Sequence, residues 1–159
     1  MRGTRSVLGV LAALVLAAAA MFAAGSAAQA AGRSTGGTVM HLPVPTRVAP
    51  RSAEAVAPDI SPAVTTTHLA YGSSILCPSG DLCTAVQDPT TNSWKIFFLY
   101  ICTTYSVSGW NGDGDYADSQ TSGTSYFYDS AYNELTHFTP DGGIDHTFGW
   151  DPVWHIKNC

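Results

Sequence analysis

Residues 92–102, "NSWKIFFLYIC", are the most strand-like stretch of the chain and decide its fold class. Alternate residues from Trp94 to Cys102 would share one face of an extended strand, and those from Phe97 to Ile101 would share the other. Because both faces are apolar, the pattern predicts a central strand that is covered on each side.

Several further segments have the composition of short strands, including "LCTAVQ", "TSYFYDS", "NELTHF" and "VWHIKN". Turn-forming stretches such as "DPTTN", "NGDGD" and "TPDGG" separate them. Strands at intervals of roughly 8 to 12 residues, without a window of helical spacing, are typical of a sandwich or a barrel. The sequence therefore predicts an all-β domain.

The chain outside this domain has a different composition. A basic start, an apolar run over residues 7–24 and an A-x-A pattern at Ala28 to Ala30 predict a secretory signal peptide over residues 1–30, rather than a permanent membrane anchor. Residues 31–70 are rich in Pro and Ala, which favours a disordered linker or propeptide. Residues 71–159 form the predicted folded domain, and the expected location is extracellular.

The charge of the folded part limits its partners. Beyond Thr65 the basic residues are Lys95 and Lys157 and ten residues are acidic, so the net charge is 2 − 10 = −8 with His neutral. Phosphate backbones and anionic membranes are bound through clustered Lys and Arg. Nucleic acid, and a membrane after signal cleavage, are therefore excluded as partners.

All four cysteines lie in the predicted domain, and an even number in a small exported domain indicates disulfides. Four cysteines allow three pairings. In "CPSGDLC" the Pro-Ser-Gly-Asp turn favours a local Cys77–Cys83 bond, which leaves Cys102 to pair with Cys159. A zinc site is a weaker interpretation, because the chain has no C-x-x-C pair.

These segments together resemble a known family. "CPSGDLC", "TTYSVSGWNGDGDYADSQTSG", "YFYDSAYNE" and "DPVWHIKNC" are similar to small secreted actinobacterial metalloproteinase inhibitors and killer-toxin-like proteins of βγ-crystallin fold, over residues 75–159. The resemblance implies two Greek keys packed as a sandwich, with the disulfide pairing given above. The pattern departs from the family at Glu134, where the crystallin hairpin usually has Gly.

The Asp-rich stretch over residues 108–123, "SGWNGDGDYADSQTSG", raises the question of calcium. It is not an EF-hand, because Tyr116 stands where that loop requires Gly. The βγ-crystallin calcium signature would supply Asp118, Thr121 and Ser122, but Ala117 replaces its first oxygen ligand. We expect a degenerate calcium site or simply solvated turn residues, and no other cofactor.

Signals for catalysis are weak. Asp113, Asp115 and Asp118 are expected in a wet loop, where a carboxyl does not gain the raised pKa that glycosidases need. His137, His146 and His155 lie nine residues apart without an H-x-x-x-H pair. No G-x-S-x-G elbow is present. The sequence predicts a protein that is not an enzyme.

Two segments qualify as rigid recognition loops, since a loop fixed before binding loses little entropy on association. The first is the cysteine-clamped segment, Pro78, Ser79, Gly80, Asp81 and Leu82. The second covers residues 109–123 and presents Trp110. Among the tryptophans, Trp94 and Trp154 are expected in the core, whereas Trp110 and Trp150 are expected to be exposed.

The leading hypothesis, which the resemblance implies, is a monomeric secreted binding protein that inhibits a peptidase, in particular a metalloprotease. Its partner would be that protease or another extracellular protein. The alternatives are a killer-toxin-like antimicrobial protein and an extracellular structural module with weak calcium binding. Growth inhibition without protease inhibition would favour the first alternative, and calcium-dependent melting would favour the second.

Overall fold

A computed structural model describes residues 36–46 and 55–159, so the predicted signal peptide lies outside the described residues. Within them the regular elements are twelve strands. They are β1 (Gly37–His41), β2 (Asp59–Ser61), β3 (Thr65–Leu69), β4 (Ser74–Pro78), β5 (Leu82–Asp88), β6 (Ser93–Leu99), β7 (Thr103–Ser108), β8 (Asp113–Asp118), β9 (Ser125–Tyr128), β10 (Glu134–Phe138), β11 (Asp145–Gly149) and β12 (His155–Asn158). No helix in this part of the chain is long and apolar enough to cross a membrane.

The strands form three antiparallel sheets. The outer sheet has the order β10-β9-β12-β7-β2, the central sheet has the order β11-β8-β5-β6-β3, and the cover sheet pairs β1 with β4. The outer and central sheets share the larger apolar core. Its buried residues are Ile60, Leu82, Val86, Phe97, Leu99, Tyr105, Val107, Trp110, Tyr116, Phe127, Trp150, Val153 and Ile156.

The cover sheet packs on the opposite face of the central sheet through a second apolar core. Met40 and Leu42 supply its apolar residues from the β1 side, and Trp94, Ile96 and Phe98 supply them from β6. Strand β6 therefore sends alternate side chains into two different cores. The prediction of a central strand covered on both faces is confirmed, although the strand ends at Leu99 rather than Cys102.

The chain order of the two large sheets has an internal symmetry. Strands β5, β6 and β8 lie in the central sheet, while β7 between them lies in the outer sheet. Strands β9, β10 and β12 lie in the outer sheet, while β11 lies in the central sheet beside β8. Each four-strand unit thus contributes its third strand to the sheet of the other unit.

In the described part of residues 31–70, namely residues 36–46 and 55–70, the structure has strands where the sequence predicts a disordered linker. Strands β1, β2 and β3 lie inside that range and pair with β4, β7 and β6 respectively. These strands are short and bury few side chains. They therefore need few apolar residues, and their composition resembles that of a linker. Pairing partners distant in the chain supply the apolar surface that the segment itself lacks.

Three of the four tryptophan predictions are wrong and one is right, since Trp110 and Trp150 are buried and Trp154 is exposed. Trp110 and Trp150 are 3% and 0% exposed, whereas Trp154 is 52% exposed. The two buried rings meet edge to face with centroids 5.0 Å apart. Each indole N–H has a partner, because Trp110 donates to the carbonyl of Asp59 and Trp150 donates to that of Ala85. Trp94 is buried, as predicted.

The structure pairs Cys77 with Cys83 and Cys102 with Cys159, as the turn chemistry predicts. The first bond lies in the core between the cover and central sheets. The second bond holds the end of the chain beside β7. Next to it, Asn158 Nδ2 donates to the carbonyl of Leu99 at 2.8 Å, so β12 is anchored to the central sheet as well.

Candidate functional site

The cysteine-clamped segment does not project as a recognition loop. Asp81 and Leu82 are buried, which corrects the prediction that they contact a partner, while Pro78, Ser79 and Gly80 are half-buried. Gly80 N donates to the carbonyl of Ser119 at 2.7 Å, and Ser119 N donates to the carbonyl of Asp81 at 3.0 Å. These bonds fasten the segment onto the chain that follows β8.

The structure also corrects the prediction that residues 109–123 form a recognition loop. Its middle is strand β8, the second strand of the central sheet, and Trp110 lies in the larger core. Asp115 and Asp118 are buried in this strand, whereas Asp113 at its start is exposed. The glycines that indicated a turn have another role here. A Cβ on Gly114 would overlap the Ala85 carbonyl oxygen and the Trp150 ring, so only glycine permits this packing.

The predicted calcium ligands are not equivalent in the structure. Asp118 is buried, and its Oδ1 accepts hydrogen bonds from the Gln120 backbone N and Nε2 at 3.1 and 3.0 Å. Thr121 and Ser122 are exposed. Among the described residues no group of three His, Cys, Asp or Glu side chains could hold a metal ion.

We expect calcium to leave the protein unchanged at concentrations up to about 1 mM, because calcium prefers six to eight oxygens, while Asp118 is buried and Thr121 and Ser122 are exposed. Thermal denaturation with and without calcium chloride checks this. A rise in melting temperature that is abolished in Asp118→Asn would contradict the expectation and establish the degenerate site.

Because the Asp118 carboxyl is buried, we expect the stability of the protein to depend on pH. Burial raises its pKa above the ordinary value, with added repulsion from Asp141, against hydrogen bonds from Gln120. The folded protein therefore binds this proton more tightly than the unfolded chain does. Its contribution to the free energy of unfolding is greatest below the ordinary pKa and falls as pH rises through the raised pKa.

Asp118→Asn removes that loss, so the variant should be more stable than wild type at pH 7, and the difference should shrink toward pH 3. Urea denaturation at both pH values measures it. A variant that is less stable than wild type at pH 7 but not at pH 3 would show that the carboxylate is favoured in the folded state.

The three histidines singled out in the sequence each have a partner of their own. His137 Nδ1 lies 2.6 Å from Glu134 Oε1, and His146 Nε2 lies 2.6 Å from Asp141 Oδ2. His155 Nδ1 lies 3.2 Å from Ser106 Oγ. Two of them, His137 and His155, stand with tyrosines on the open side of the outer sheet.

This open side of the outer sheet carries a cluster of aromatic side chains, which we call the aromatic face. Register places His155 opposite both Tyr128 and Ser106, and places Tyr126 opposite His137. Their neighbours in the strands point into the core, because side chains alternate between the two faces of a sheet. The aromatic face consists of Tyr126, Tyr128, Tyr132, His137 and His155.

The rings of the aromatic face support one another. Tyr126 and Tyr128 stack with centroids 5.8 Å apart and planes 8° apart. Tyr132 stacks on His155 at 3.9 Å, also within 8° of parallel. The ring of Tyr126 lies 5.7 Å from that of His137. Rings held in this way have little conformational freedom left to lose on binding.

Tyr132 is held on the face by an unusual turn. Its φ of 61° lies in the left-handed region, which bulky side chains seldom adopt. Asp129 fixes the turn, because its carboxylate accepts from the backbone N of Ala131 and Asn133 and from Asn133 Nδ2. These bonds lower the pKa of Asp129. The left-handed conformation of a residue other than Gly is a local cost, and here it leaves a Tyr side chain that is 59% exposed.

Polar groups adjoin the rings. Lys157 Nζ lies 5.4 Å from the centre of the Tyr126 ring, and the Ser106 hydroxyl bonds His155. Desolvation raises the pKa of Tyr128, with smaller contributions from Tyr126 and Glu134. The surface therefore combines flat apolar rings with donors and acceptors, which is the composition of protein-binding hot spots.

Comparison of the chain with protein-family models, with curated proteins and with solved structures finds no match. The geometry of the chain itself therefore carries the functional argument.

Proposed function

We propose that this protein is a secreted, non-enzymatic binding protein that recognises another extracellular protein through the aromatic face. The observation that carries the proposal is Tyr132, which is exposed, left-handed and stacked on His155. Aromatic side chains that are rigid and exposed supply large contact area at low entropic cost. Two disulfides are compatible with an oxidising, extracellular environment.

The proposal includes the architecture of two Greek keys in a βγ-crystallin-like sandwich. Its support is the strand order, in which the units β5 to β8 and β9 to β12 each give their third strand to the other sheet. In each unit the fourth strand lies beside the first, as β8 does beside β5 and β12 does beside β9. A fourth strand that returns to lie beside the first is one feature of a Greek key, and it supports this part of the proposal.

The partner that we propose is an exported peptidase, of the metalloprotease class that the family resemblance implies. A braced surface that binds without rearranging is suited to inhibition, because little ordering entropy opposes the association. The acidity of the domain, with a net charge of −8 beyond Thr65, favours a partner with a basic surface.

The test is titration of the oxidised mature protein against a panel of secreted metalloproteases and serine proteases, with peptide hydrolysis as the readout. Inhibition at nanomolar to micromolar concentration of at least one protease is the expected result, as affinities of that order are common for interfaces of standard size. A panel left untouched would reject the inhibitor function.

The Ser106 hydroxyl is hydrogen-bonded to the His155 ring, which is how a serine nucleophile and its base are arranged, so this pair allows the proposed lack of catalysis to be tested. A hydrolase built on it would cleave activated esters, and Ser106→Ala would abolish the cleavage. The binding proposal expects no cleavage of activated esters, either by the wild-type protein or by Ser106→Ala. Turnover that depends on Ser106 would overturn the non-enzymatic assignment.

Tyr132→Ala is expected to weaken partner binding by about tenfold to a hundredfold, since hot-spot tyrosines contribute on the order of 2 kcal/mol or more. Tyr100→Ala is the matched control, because Tyr100 is an exposed tyrosine in the β6–β7 connection. Surface plasmon resonance against the inhibited protease measures both variants. Equal losses, or loss only in Tyr100→Ala, would place the interface elsewhere.

A further inference from the structure

A cleft lies on the far side of the central sheet from the aromatic face. It has a volume of about 200 Å³ and is formed between the segment after β1 and the sheet beneath it. Trp94 Nε1 donates to the Pro43 carbonyl at 2.9 Å, which fastens this segment over the sheet. The lining residues used below are Pro43, Val44, Trp94, Asp113, Asp115 and Thr147.

The wall from β8 and β11 is acidic, and its central carboxylate is buried. Asp115 is only 4% exposed, and its Oδ1 accepts from Thr147 Oγ1 at 2.9 Å, while its Oδ2 is buried without a hydrogen-bond partner. Asp145, which lies on β11 two residues before Thr147 and outside the cleft lining, also has a buried Oδ1 without a hydrogen-bond partner. Desolvation raises the pKa of Asp115, and the charges of Asp145 and Asp113 raise it further.

The described residues leave this wall without a compensating cation. Their Lys and Arg side chains are Lys95 and Lys157. Lys95 Nζ donates to the carbonyl of Pro58, and Lys157 lies over the Tyr126 ring on the aromatic face. A buried carboxylate oxygen without a partner is costly, and a positively charged donor would offset that cost.

We propose that this cleft binds a guanidinium or alkylammonium group, with Asp115 as its principal acceptor. Asp113 and Thr147 adjoin Asp115 on the same wall and supply further oxygens. The site is separate from the aromatic face and stands whether or not the protein inhibits a protease. Its ligand chemistry is that of an arginine or lysine side chain or of a free polyamine.

The other wall favours an organic cation over a metal ion. Trp94, Val44 and Pro43 present apolar surface to the cleft. Such surface suits the methylene stem of a cationic side chain. The volume of about 200 Å³ corresponds to roughly six water molecules, which is far larger than a bare ion requires. In addition, the part of the chain that the structure describes contains no metal-holding group of three ligands.

Titration with agmatine tests the site, with the neutral carbamoyl analogue of agmatine and calcium chloride as comparisons. The readouts are melting temperature and the indole N–H resonance of Trp94. We expect saturable effects from agmatine alone. Equal effects from the neutral analogue, equal effects from calcium, or no effect at millimolar agmatine would overturn the proposal. An acetylated Gly-Arg-Gly amide that binds more tightly than agmatine would identify a protein as the source of the cation, and the reverse order would identify a free amine.

Asp115→Asn should weaken agmatine binding about tenfold or more, because hydrogen bonds to charged groups are the stronger class. Asp59→Asn makes the same charge change on the outer sheet and should bind normally. Asp113→Asn, which alters an exposed side chain, should weaken binding without affecting folding, and it provides the test if Asp115→Asn is unfolded. If Asp115→Asn folds and binds agmatine with unchanged affinity, the assignment of Asp115 as the acceptor is refuted. If Asp115→Asn does not fold, unchanged affinity in Asp113→Asn refutes the cleft as the binding site.

Discussion

Trp150→Ala is expected to lower the free energy of unfolding by about 3–5 kcal/mol, the usual cost of truncating a buried large aromatic side chain. The Trp150 ring is fully buried and packs against Trp110, Phe127 and Phe148. The substitution also leaves the Ala85 carbonyl without its indole donor. Urea denaturation of the oxidised protein, followed by circular dichroism, measures the loss.

Trp154→Ala is the matched control for this prediction. Trp154 lies four residues later and is half exposed, so its removal should change the free energy of unfolding by no more than about 0.5 kcal/mol. Similar losses for the two variants would contradict the assignment of Trp150 to the core between the outer and central sheets.

The double substitution Cys102→Ala and Cys159→Ala is expected to cost about 4 kcal/mol. The bond closes a loop of 57 residues in sequence separation, and the entropy that it removes from the unfolded chain grows with the length of the loop. The loss is comparable with the entire stability of a small domain. Urea denaturation at 25 °C measures it, and the expected variant unfolds at much lower denaturant concentration.

Cys77→Ala with Cys83→Ala provides the comparison. Its sequence separation is 6, so the entropic contribution is about 2 kcal/mol, roughly half that of the longer loop. If the short-loop variant proved the less stable of the two, buried packing around Cys77 and Cys83 rather than loop closure would dominate the effect.

The centre of the fold could be predicted because its signals are local. The stretch from Trp94 to Leu99 is apolar at every second position on both faces, and such a strand requires cover on both sides. The Pro-Ser-Gly-Asp turn between Cys77 and Cys83 favours a local disulfide in the same way. Each inference rests on residues that are adjacent in sequence.

The edges of the fold could not be predicted, because their stability comes from distant residues. Strand β3, "TTTHL", has little apolar surface of its own, yet it pairs along its whole length with β6. Strand β1 buries Met40 only because β4 and the central sheet are present. In a sequence these segments look like the Pro- and Ala-rich chain that surrounds them.

In the candidate site, too, features that depend on neighbouring residues could be predicted and features that depend on distant residues could not. Alternation in "SYFY" places Tyr126 and Tyr128 on one face of β9, and this signal could have been found in the sequence. The stacking of Tyr132 on His155 could not, because it depends on a left-handed turn and on the pairing of β9 with β12. Neighbouring Gly and Asp-Pro residues suggested exposure of Trp110 and Trp150, but the returning chain buries both.

A single inhibition assay can compare the aromatic face with the cysteine-clamped segment. If the aromatic face binds the protease, Tyr128→Ala combined with Tyr132→Ala abolishes inhibition of a sensitive protease, whereas Ser79→Ala in the half-buried segment retains it. Retained inhibition in the tyrosine variant, together with its loss in Ser79→Ala, would contradict binding through the aromatic face and assign recognition to the cysteine-clamped segment.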